Sequence, residues 1–266
     1  IILKSQKILL GTCIVDVLSK VTGKELPYGA LTGIRPVKLA IHCIDDGMDK
    51  EQTINFLIET TSMSEEKASL LYDVALLEKP YIDADSMSVY HTQYQSFNPN
   101  VHLYIGIPFC VSRCLYCSFT SYPISRYESL VPDFISALKK ELVHTYNFIK
   151  NKGLRIKSIY IGGGTPTALD NYSFHTILSK VNELFNSNGI EFTVEAGRPD
   201  TITSDKLQSM KGAGVTRISI NPQTMNSSTL KTIGRNHSPQ QIIEKYYLAR
   251  KLGFNNINMD IIAGLP

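Results

Sequence analysis

Three of the five cysteines, Cys110, Cys114 and Cys117, lie within eight residues of one another at the spacing C-x3-C-x2-C. An apolar run from Val101 to Ile107 precedes them and predicts a buried strand that ends in a loop. Thiolate is the usual protein ligand of iron–sulfur clusters, so three thiolates on one loop can hold three irons of a four-iron cluster. Because no fourth cysteine follows at a matching spacing, one iron would stay open to a small chelating ligand.

Three alternatives for these cysteines stay open from the residues alone. A zinc site would need a fourth nitrogen or sulfur ligand nearby, and the nearest histidine, His102, lies inside the predicted strand. A disulfide fits poorly with an odd number of cysteines in a chain without a secretory signal. Chance clustering of buried cysteines is the third alternative. We favour the iron–sulfur cluster because the triad follows a predicted strand directly.

The composition is that of an ordinary globular protein, with 266 residues, 43% of them hydrophobic and 19% charged. A formal net charge of +3 gives no electrostatic reason to expect a nucleic-acid partner. No apolar run approaches the roughly 20 residues that span a bilayer, and polar residues follow directly after residues 1–3, so no signal peptide is expected. Reduced cysteines and an iron–sulfur site predict a cytoplasmic protein.

The chain starts at Ile1 rather than Met and stops at Pro266, directly after an apolar run. We expect both ends to be cut. A last strand at 256–262 would be an open sheet edge that is apolar on both faces. We therefore expect at least one further strand and a substrate-covering domain beyond Pro266, without which the chain should aggregate or be inactive.

Residues 1–80 predict a small helical domain. Apolar periodicity and capping residues predict helices at 7–22, 36–44, 49–60 and 64–79, the last closed by Pro80. Cys13 and Cys43 lie among apolar residues of these helices, where cysteine usually acts as a small hydrophobe. The loop 33–36 is expected to be a structural turn rather than a site for a phosphate or propionate. Residues 81–100 predict a polar connector that could add a strand at 88–93.

From Val101 the pattern changes to alternating strands and helices, which predicts parallel strands joined by crossover helices. Strands are expected at 101–107, 155–161, 191–195, 217–221 and 256–262, and helices at 128–148, 173–187, 204–211 and 239–251. The fold class predicted for residues 101–266 is therefore α/β, a partial parallel (β/α) barrel of five repeats whose last repeat lacks its helix.

Residues that could do chemistry follow or end every predicted strand. They are the cysteine triad, the glycine run 162–164, Glu195, Gln223 and Asp260. In (β/α) barrels the chemistry lies at the carboxyl ends of the strands, so we expect these residues to meet at one mouth. Glycines at that place let the backbone approach a ligand where a Cβ would clash.

Four polar side chains near the mouth carry more specific expectations. Glu195 could accept hydrogen bonds from the ammonium or hydroxyl groups of a ligand, with a structural ion pair to Arg198 as the alternative. Arg235 offers a fork of donors for a carboxylate. His237 could donate a proton, although a surface histidine near a turn fits about equally well. Asp260 lies in an apolar strand, where a charge is costly unless it is paired or used.

Together these motifs resemble those of the radical S-adenosylmethionine (SAM) coproporphyrinogen III oxidase-like family, which contains the oxygen-independent oxidase HemN, its HemZ relatives and the haem chaperone HemW. The resemblance covers about residues 101–266, and the helical N-terminal part is most similar to the HemZ type. The residues that carry it are Tyr104, Cys110, Cys114, Cys117, Gly162 to Thr167, Glu195, Gln223, Ile233 to Arg235, Asp260 and Gly264 to Pro266.

The resemblance implies a radical SAM barrel of about six repeats and a [4Fe–4S] cluster held by the three cysteines of the loop. It implies SAM on the open iron, where an electron splits the sulfonium to give methionine and a 5′-deoxyadenosyl radical. The residues implied to contact SAM are Tyr104, Tyr116, Gly163, Gly164, Thr165, Glu195, Gln223, Arg235, Asp260 and Ile262.

The activity implied is the oxidative decarboxylation of two propionates of coproporphyrinogen III to vinyl groups, which gives protoporphyrinogen IX in haem biosynthesis. The radical would remove a hydrogen from the propionate β-carbon, and loss of carbon dioxide and one electron would leave the vinyl group. The implied partners are the porphyrinogen substrate and a low-potential electron donor.

One position departs from the pattern of the oxidase. The oxidase proper carries another cysteine two residues after the triad, where this chain has Phe119 and the haem chaperones also have an aromatic residue. A haem chaperone with the same cluster is therefore one alternative. A radical SAM enzyme that acts on another substrate is a second.

Overall fold

A computed structural model of the chain describes residues 2–31, 35–85 and 99–266, with side chains at 8–31, 35–82 and 99–266. The chain divides into two compact units, Ile1–Asn98 and Pro99–Pro266. The strand predicted at 88–93 and residues 33–34 of the loop predicted at 33–36 lie outside the described residues. Among the helices described, none combines the length and the apolar character needed to cross a bilayer.

The first unit is helical, as its apolar periodicity predicts. Asp49 begins its third helix with a capping box, in which Asp49 and Gln52 each accept a hydrogen bond from the backbone amide of the other. Such a cap stabilises a helix by about 1 kcal/mol. The described helices are α1 (Ile2–Thr22), α2 (Val37–Asp45), α3 (Lys50–Thr61) and α4 (Glu65–Asp85). The core consists of Ala40, Leu57, Met63, Ala68, Leu71 and Ala75.

Helix α4 does not close at Pro80, as predicted, but continues to Asp85 with the proline inside it. Proline lacks the N–H that would donate to the carbonyl four residues earlier. That carbonyl belongs to Leu76, a residue that is 47% exposed, so water can hydrate it. Lys79 also forms an ion pair with Asp45 of α2. The first five residues of the predicted connector, 81–85, are therefore helical.

Helix α1 has the predicted apolar periodicity, but its apolar side chains are exposed. Leu9, Val17 and Val21 are 67%, 60% and 77% exposed. Cys13 of the same helix is exposed as well, whereas Cys43 of α2 is buried. The expectation of a small buried hydrophobe is right for Cys43 and wrong for Cys13, because periodicity defines an apolar face but not what covers it.

The second unit is built on a sheet of five parallel strands whose order in space follows their order in the sequence. The strands are β1 (Asn100–Ile107), β2 (Phe109–Cys110), β3 (Tyr122–Pro123), β4 (Arg155–Gly163), β5 (Glu191–Glu195), β6 (Arg217–Ser219) and β7 (Asn256–Asn258). The sheet contains β1, β4, β5, β6 and β7, while β2 and β3 form a separate parallel pair. The predicted fold class is confirmed: a mixed α/β fold with a parallel sheet and a helical N-terminal region.

Helices connect the strands of the sheet and cover it. They are α5 (Ile124–Tyr127), α6 (Val131–Asn151), α7 (Asn171–Phe185), α8 (Ser204–Gly212), α9 (Ser227–Thr232) and α10 (Pro239–Lys251). The predicted crossover helices correspond to α6, α7, α8 and α10. The elements α5, α9, β2 and β3 were not predicted, since each is too short to show a periodicity. Ile159, Phe192 and Ile218 of the sheet are fully buried in one core with Phe174 and Leu178 of α7.

The last two strands of the sheet are shorter than predicted, and Asp260 lies beyond the end of β7 rather than within it. The neighbouring chain after β6 contains Pro222, which has no N–H to donate to a ladder. Pairing resumes only as an isolated parallel bridge between Gln223 and Ile261. The interruption leaves the side chain of Asp260 outside the strand and at the carboxyl end of the sheet.

Candidate functional site

The three cysteines predicted to hold a cluster lie on one loop at the carboxyl end of β1. Cys110 ends β2, which pairs with β3 at Pro123, and Cys114 and Cys117 follow in the loop. Cys110 and Cys114 are each 8% exposed. Cys117 is partly buried, and all three are free thiols. The loop thus presents three thiols, two of them shielded from water.

Backbone hydrogen bonds fix the second half of this loop. The amide of Cys117 donates to the carbonyl of Cys114 at 3.0 Å, and the amide of Leu115 donates to the carbonyl of Ile233 after α9 at 3.1 Å. The guanidinium of Arg113 donates to the carbonyl of Cys117 at 3.3 Å. These hydrogen bonds therefore stabilise the conformation of the loop.

The glycine run after β4 lies directly against the cysteine loop. The amide of Gly164 donates to the carbonyl of Ile107, and the amide of Thr165 donates to the carbonyl of Phe109, both at 2.7 Å. Oγ1 of Thr165 is 3.2 Å from Sγ of Cys110. A Cβ on Gly164 would lie 2.6 Å from the oxygen of Phe109 and 3.1 Å from the sulfur of Cys110. Glycine is required here because the two loops touch.

This donor set fits a four-iron cluster with one iron free of protein ligands. Thiolates are the ligands that such clusters prefer. The loop supplies three of them next to the backbone of the glycine run. Within the part of the chain that the structure describes, no three His, Cys, Asp or Glu side chains gather as ligands of a single ion. A four-iron cluster differs from such a site because each thiolate binds a different iron.

The carboxylate of Glu195, at the end of β5, faces the glycine run. It accepts a hydrogen bond from the hydroxyl of Tyr160 on β4, and a Cβ on Gly162 would lie 2.8 Å from its Oε2. Burial raises the pKa of Glu195, while the hydrogen bond from Tyr160 opposes that shift. The alternative of an ion pair with Arg198 is wrong, since Arg198 pairs instead with Asp200 at 3.0 Å.

Tyr104 presents an aromatic face beside this carboxylate. Its ring stacks on that of Tyr160, with centroids 5.7 Å apart and planes inclined by 13°, and Tyr104 is 62% exposed. Partial burial and the charge of Glu195 raise the pKa of Tyr104. The phenol therefore stays neutral, and its open side can contact a bound molecule.

Arg235 is 8% exposed and joins three loops of the mouth. Its Nη1 donates to the carbonyls of Gly197 at 2.9 Å and Asn221 at 3.1 Å. Its Nη2 donates to the hydroxyl of Tyr116 at 3.0 Å. Only Nε is buried without a partner among the described residues. The fork of donors predicted for a ligand carboxylate is thus largely used by the protein itself, because these loops converge on the guanidinium.

Gln223 has φ of +62°, an uncommon backbone conformation for a residue other than glycine. The backbone amide of Gln223 donates to the backbone carbonyl of Asp260, and the backbone carbonyl of Gln223 accepts from the backbone amide of Ile262, both at 2.9 Å. The side chain is 7% exposed. The carboxylate of Asp260 accepts hydrogen bonds from the side-chain amides of Asn221 at 2.8 Å and Asn258 at 2.9 Å. These contacts place Gln223, Asp260 and Ile262 in one hydrogen-bonded patch.

His237 is buried, so the alternative of a surface histidine is wrong. It is 4% exposed, and neither ring nitrogen has a hydrogen-bond partner of ordinary geometry among the described residues. Burial lowers the pKa of His237 to about 4, and the charge of Arg235 adds to the effect. The ring is therefore neutral at neutral pH, and its surroundings disfavour the predicted role of a cationic proton donor.

Unpartnered polar atoms are concentrated at this mouth. Four of the seven buried side-chain atoms without a hydrogen-bond partner of ordinary geometry among the described residues are Oε1 of Gln223, Nε of Arg235 and both ring nitrogens of His237. Leaving such a group unpaired costs about 1–3 kcal/mol. A ligand with amino, carboxylate and hydroxyl groups, such as SAM, can pair with donors and acceptors of this kind, so the residues fit that cofactor.

Two residues at the mouth had no predicted role. Tyr160 lies two residues before Gly162 on β4, so strand alternation places both on one face of the sheet. That signal was present in the sequence. Ser112, whose hydroxyl donates to the carbonyl of Gly234 at 3.4 Å, carries no comparable signal, because its partner is distant in the chain.

Comparison with known proteins identifies the superfamily of the second unit. The model of the radical SAM superfamily matches residues 104–266, which include every strand-end residue described above. A solved structure of coproporphyrinogen III oxidase (HemN) from Escherichia coli, described as a radical SAM enzyme, superposes with a TM-score of 0.55 at 28% identity. The match covers 63% of this chain and 38% of that one. Membership of this superfamily implies a [4Fe–4S] cluster and SAM, the two groups that the residues fit.

Two curated relatives come from Bacillus subtilis (strain 168). The oxygen-independent coproporphyrinogen-III oxidase-like protein HemZ is 37% identical over 99% of this chain and 51% of its own length. The haem chaperone HemW is 38% identical over 61% of this chain and 42% of its own length. The chain thus spans about half the length of these relatives or less. It belongs to the radical SAM superfamily, where its relatives are HemZ, HemW and HemN.

Proposed function

We propose that the chain is the cofactor-binding part of an oxidoreductase that converts two propionates of coproporphyrinogen III to vinyl groups. The observation that carries this proposal is the extent of the match to HemZ. That match runs over 99% of the chain and so includes the helical first unit, whereas the match to HemW covers 61%. The chain therefore shares its whole layout with a protein named for its likeness to the oxidase. We further propose a cytoplasmic location and a low-potential electron donor.

Different residues of the mouth would bind the cluster and SAM. Cys110, Cys114 and Cys117 would hold the cluster, and the buried positions of the first two exclude water from it. The carboxylate of Glu195 would accept hydrogen bonds from SAM, and the free Oε1 of Gln223 would accept another. When bound, the two groups supply one-electron chemistry that removes hydrogen from an unactivated carbon.

Haem chaperone activity is the second candidate. It is favoured by Phe119, an aromatic residue at the position where the sequence departs from the oxidase. The identity to HemW, 38% over the shared region, is as high as the identity to HemZ. On this proposal the same cluster site would serve a protein that keeps haem bound rather than one that forms vinyl groups.

Anaerobic product analysis separates the two candidates. The full-length natural protein, reconstituted with iron and sulfide, is incubated with SAM, a reductant and coproporphyrinogen III. We expect protoporphyrinogen IX and carbon dioxide, and no product from the Cys114→Ala variant. Stable haem binding in absorption spectra, without any vinyl product, would instead establish the chaperone and reject the oxidase.

Replacing Glu195 by alanine is expected to weaken SAM binding without loss of the cluster. The carboxylate lies at the end of β5 and faces the glycine run, and a hydrogen bond to a charged group stabilises by about 1.5–3 kcal/mol. We therefore expect SAM affinity and the yield of 5′-deoxyadenosine to fall by about tenfold to a hundredfold. Affinity is measured by equilibrium dialysis, and cluster content by absorption.

Glu191→Ala is the matched control for this variant, because Glu191 lies at the opposite end of the same strand and is exposed. It should bind SAM like the parent protein. An unchanged SAM affinity and cleavage yield in Glu195→Ala would refute the proposed contact.

A further inference from the structure

We propose that Arg198 is a positioning residue that raises the reduction potential of the cluster through a charged hydrogen bond to Cys114. Arg198 lies after β5 and its side chain is 2% exposed, although arginine is rarely buried. Its Nη1 is 3.8 Å from Sγ of Cys114, a distance suited to an N–H donor and a sulfur acceptor. The proposal rests on the cluster that the superfamily implies, and it is independent of the substrate.

The guanidinium is held in a fixed orientation by Asp200. Nε donates to Oδ1 at 3.1 Å and Nη2 donates to Oδ2 at 3.0 Å, a two-bond pairing that fixes the plane of the group. Only Nη1 is left over, and it points away from the carboxylate toward the cysteine loop. The positive end of the ion pair is therefore the end nearer to the sulfur.

Nη1 also holds the loop that carries the cysteine. It lies 3.2 Å from Oγ of Ser112 and 3.4 Å from the carbonyl of Ser112. The hydroxyl of Ser112 in turn donates to the carbonyl of Gly234, next to Arg235. Arg198 thus connects the cysteine loop with the patch predicted to contact SAM.

The charge of Arg198 has a definite effect on a cluster at this place. Reduction adds one negative charge to the cluster, and a nearby positive charge stabilises the reduced form. Hydrogen bonds donated to the cluster sulfurs withdraw electron density from them and act in the same direction. Thr165 lies within hydrogen-bond distance of Cys110, and the hydroxyl of Tyr116 lies close enough to Cys114 for a hydrogen bond, but both of these groups are neutral. Arg198 therefore supplies the charged contact and makes one-electron reduction easier.

The test is a redox titration of the anaerobically reconstituted protein, with the signal of the reduced cluster followed by electron paramagnetic resonance. We expect Arg198→Met to shift the reduction equilibrium at least tenfold toward the oxidised form, or about 59 mV for one electron. Arg198→Lys keeps the charge and should recover part of the shift. Asp200→Asn removes the negative partner and should shift the equilibrium the other way.

Arg250→Met is the matched control, since Arg250 is an exposed residue near the end of α10, at the opposite end of the sheet. Its potential should equal that of the parent. An unchanged reduction potential in an Arg198→Met protein that carries a full cluster would overturn the proposal. A fall of the potential in Arg198→Lys as large as that in Arg198→Met would overturn it as well. If Arg198→Met takes up no cluster, Asp200→Asn decides, and the absence of an upward shift then overturns the proposal.

Discussion

Replacing Cys114 by alanine should abolish the visible absorption of the iron–sulfur cluster after anaerobic reconstitution, and SAM cleavage with it. Cys114 is 8% exposed and lies between the two other thiols of the loop. Three thiolates must hold three irons, and removing one leaves a second iron without any protein ligand. We expect iron and sulfide content to fall to the level of a protein that was never reconstituted.

Two other cysteines of the chain serve as controls for this prediction. Cys43 is buried at 3% exposure, as deeply as a ligand thiol, and Cys13 is exposed. Alanine at either position should leave the absorption unchanged, and Cys43→Ala should lower the free energy of unfolding by about 1 kcal/mol. An equal loss of cluster in Cys13→Ala would contradict the assignment of the ligands.

Replacing Gly163 by alanine should strongly lower both stability and cluster content. Gly163 has φ of +108°, where a residue with a Cβ is strained by about 1–2 kcal/mol. Its Cβ would also lie 2.8 Å from the oxygen and 3.0 Å from the nitrogen of Ile107, which are backbone atoms of β1 that cannot turn aside. Overpacking of this kind adds about 1–3 kcal/mol. The carbonyl of Ile107 also accepts a hydrogen bond from the amide of Gly164. The strain would therefore disturb the glycine run where it packs against the cysteine loop.

Gly153→Ala is the matched control, because Gly153 has φ of +64° but open space around its Cβ position. It carries the cost of the backbone conformation alone, about 1–2 kcal/mol. Urea unfolding at equilibrium should therefore show a larger loss for Gly163→Ala by about 1–3 kcal/mol. Equal losses in the two variants would show that the close approach of Ile107 has no energetic consequence.

The elements of the second unit could be predicted well because their signals are local. Helix α10 was predicted at its observed bounds, where Ser238 caps it and Pro239 opens it. The strands before the cysteines and the glycine run were predicted because each is a short apolar stretch closed by glycine or proline. The pairing of the strands was harder to predict. Strand β7 ends earlier than predicted because Pro222 on the neighbouring segment cannot continue the hydrogen-bond ladder.

The first unit shows the limit of local patterns. Pro80 predicted a helix end, but α4 continues past it, and Lys79 beside it pairs with Asp45, which lies far away in the sequence. The apolar side of α1 predicted burial, yet Leu9 and Val21 are exposed. A periodicity reports which face is apolar, and only the surrounding chain decides whether that face is covered.

The sequence by itself determined which residues could do chemistry and at which edge of the sheet they stand. The spacing of Cys110, Cys114 and Cys117 and the glycines after β4 are local features, and parallel strands bring their carboxyl ends to one side. Only the tertiary structure decided the partners: Glu195 with Tyr160 and Arg198 with Asp200. It also decided that His237 is buried. Partner choice, burial and pKa depend on distances across loops that are remote in the chain, and no spacing within one segment contains that information.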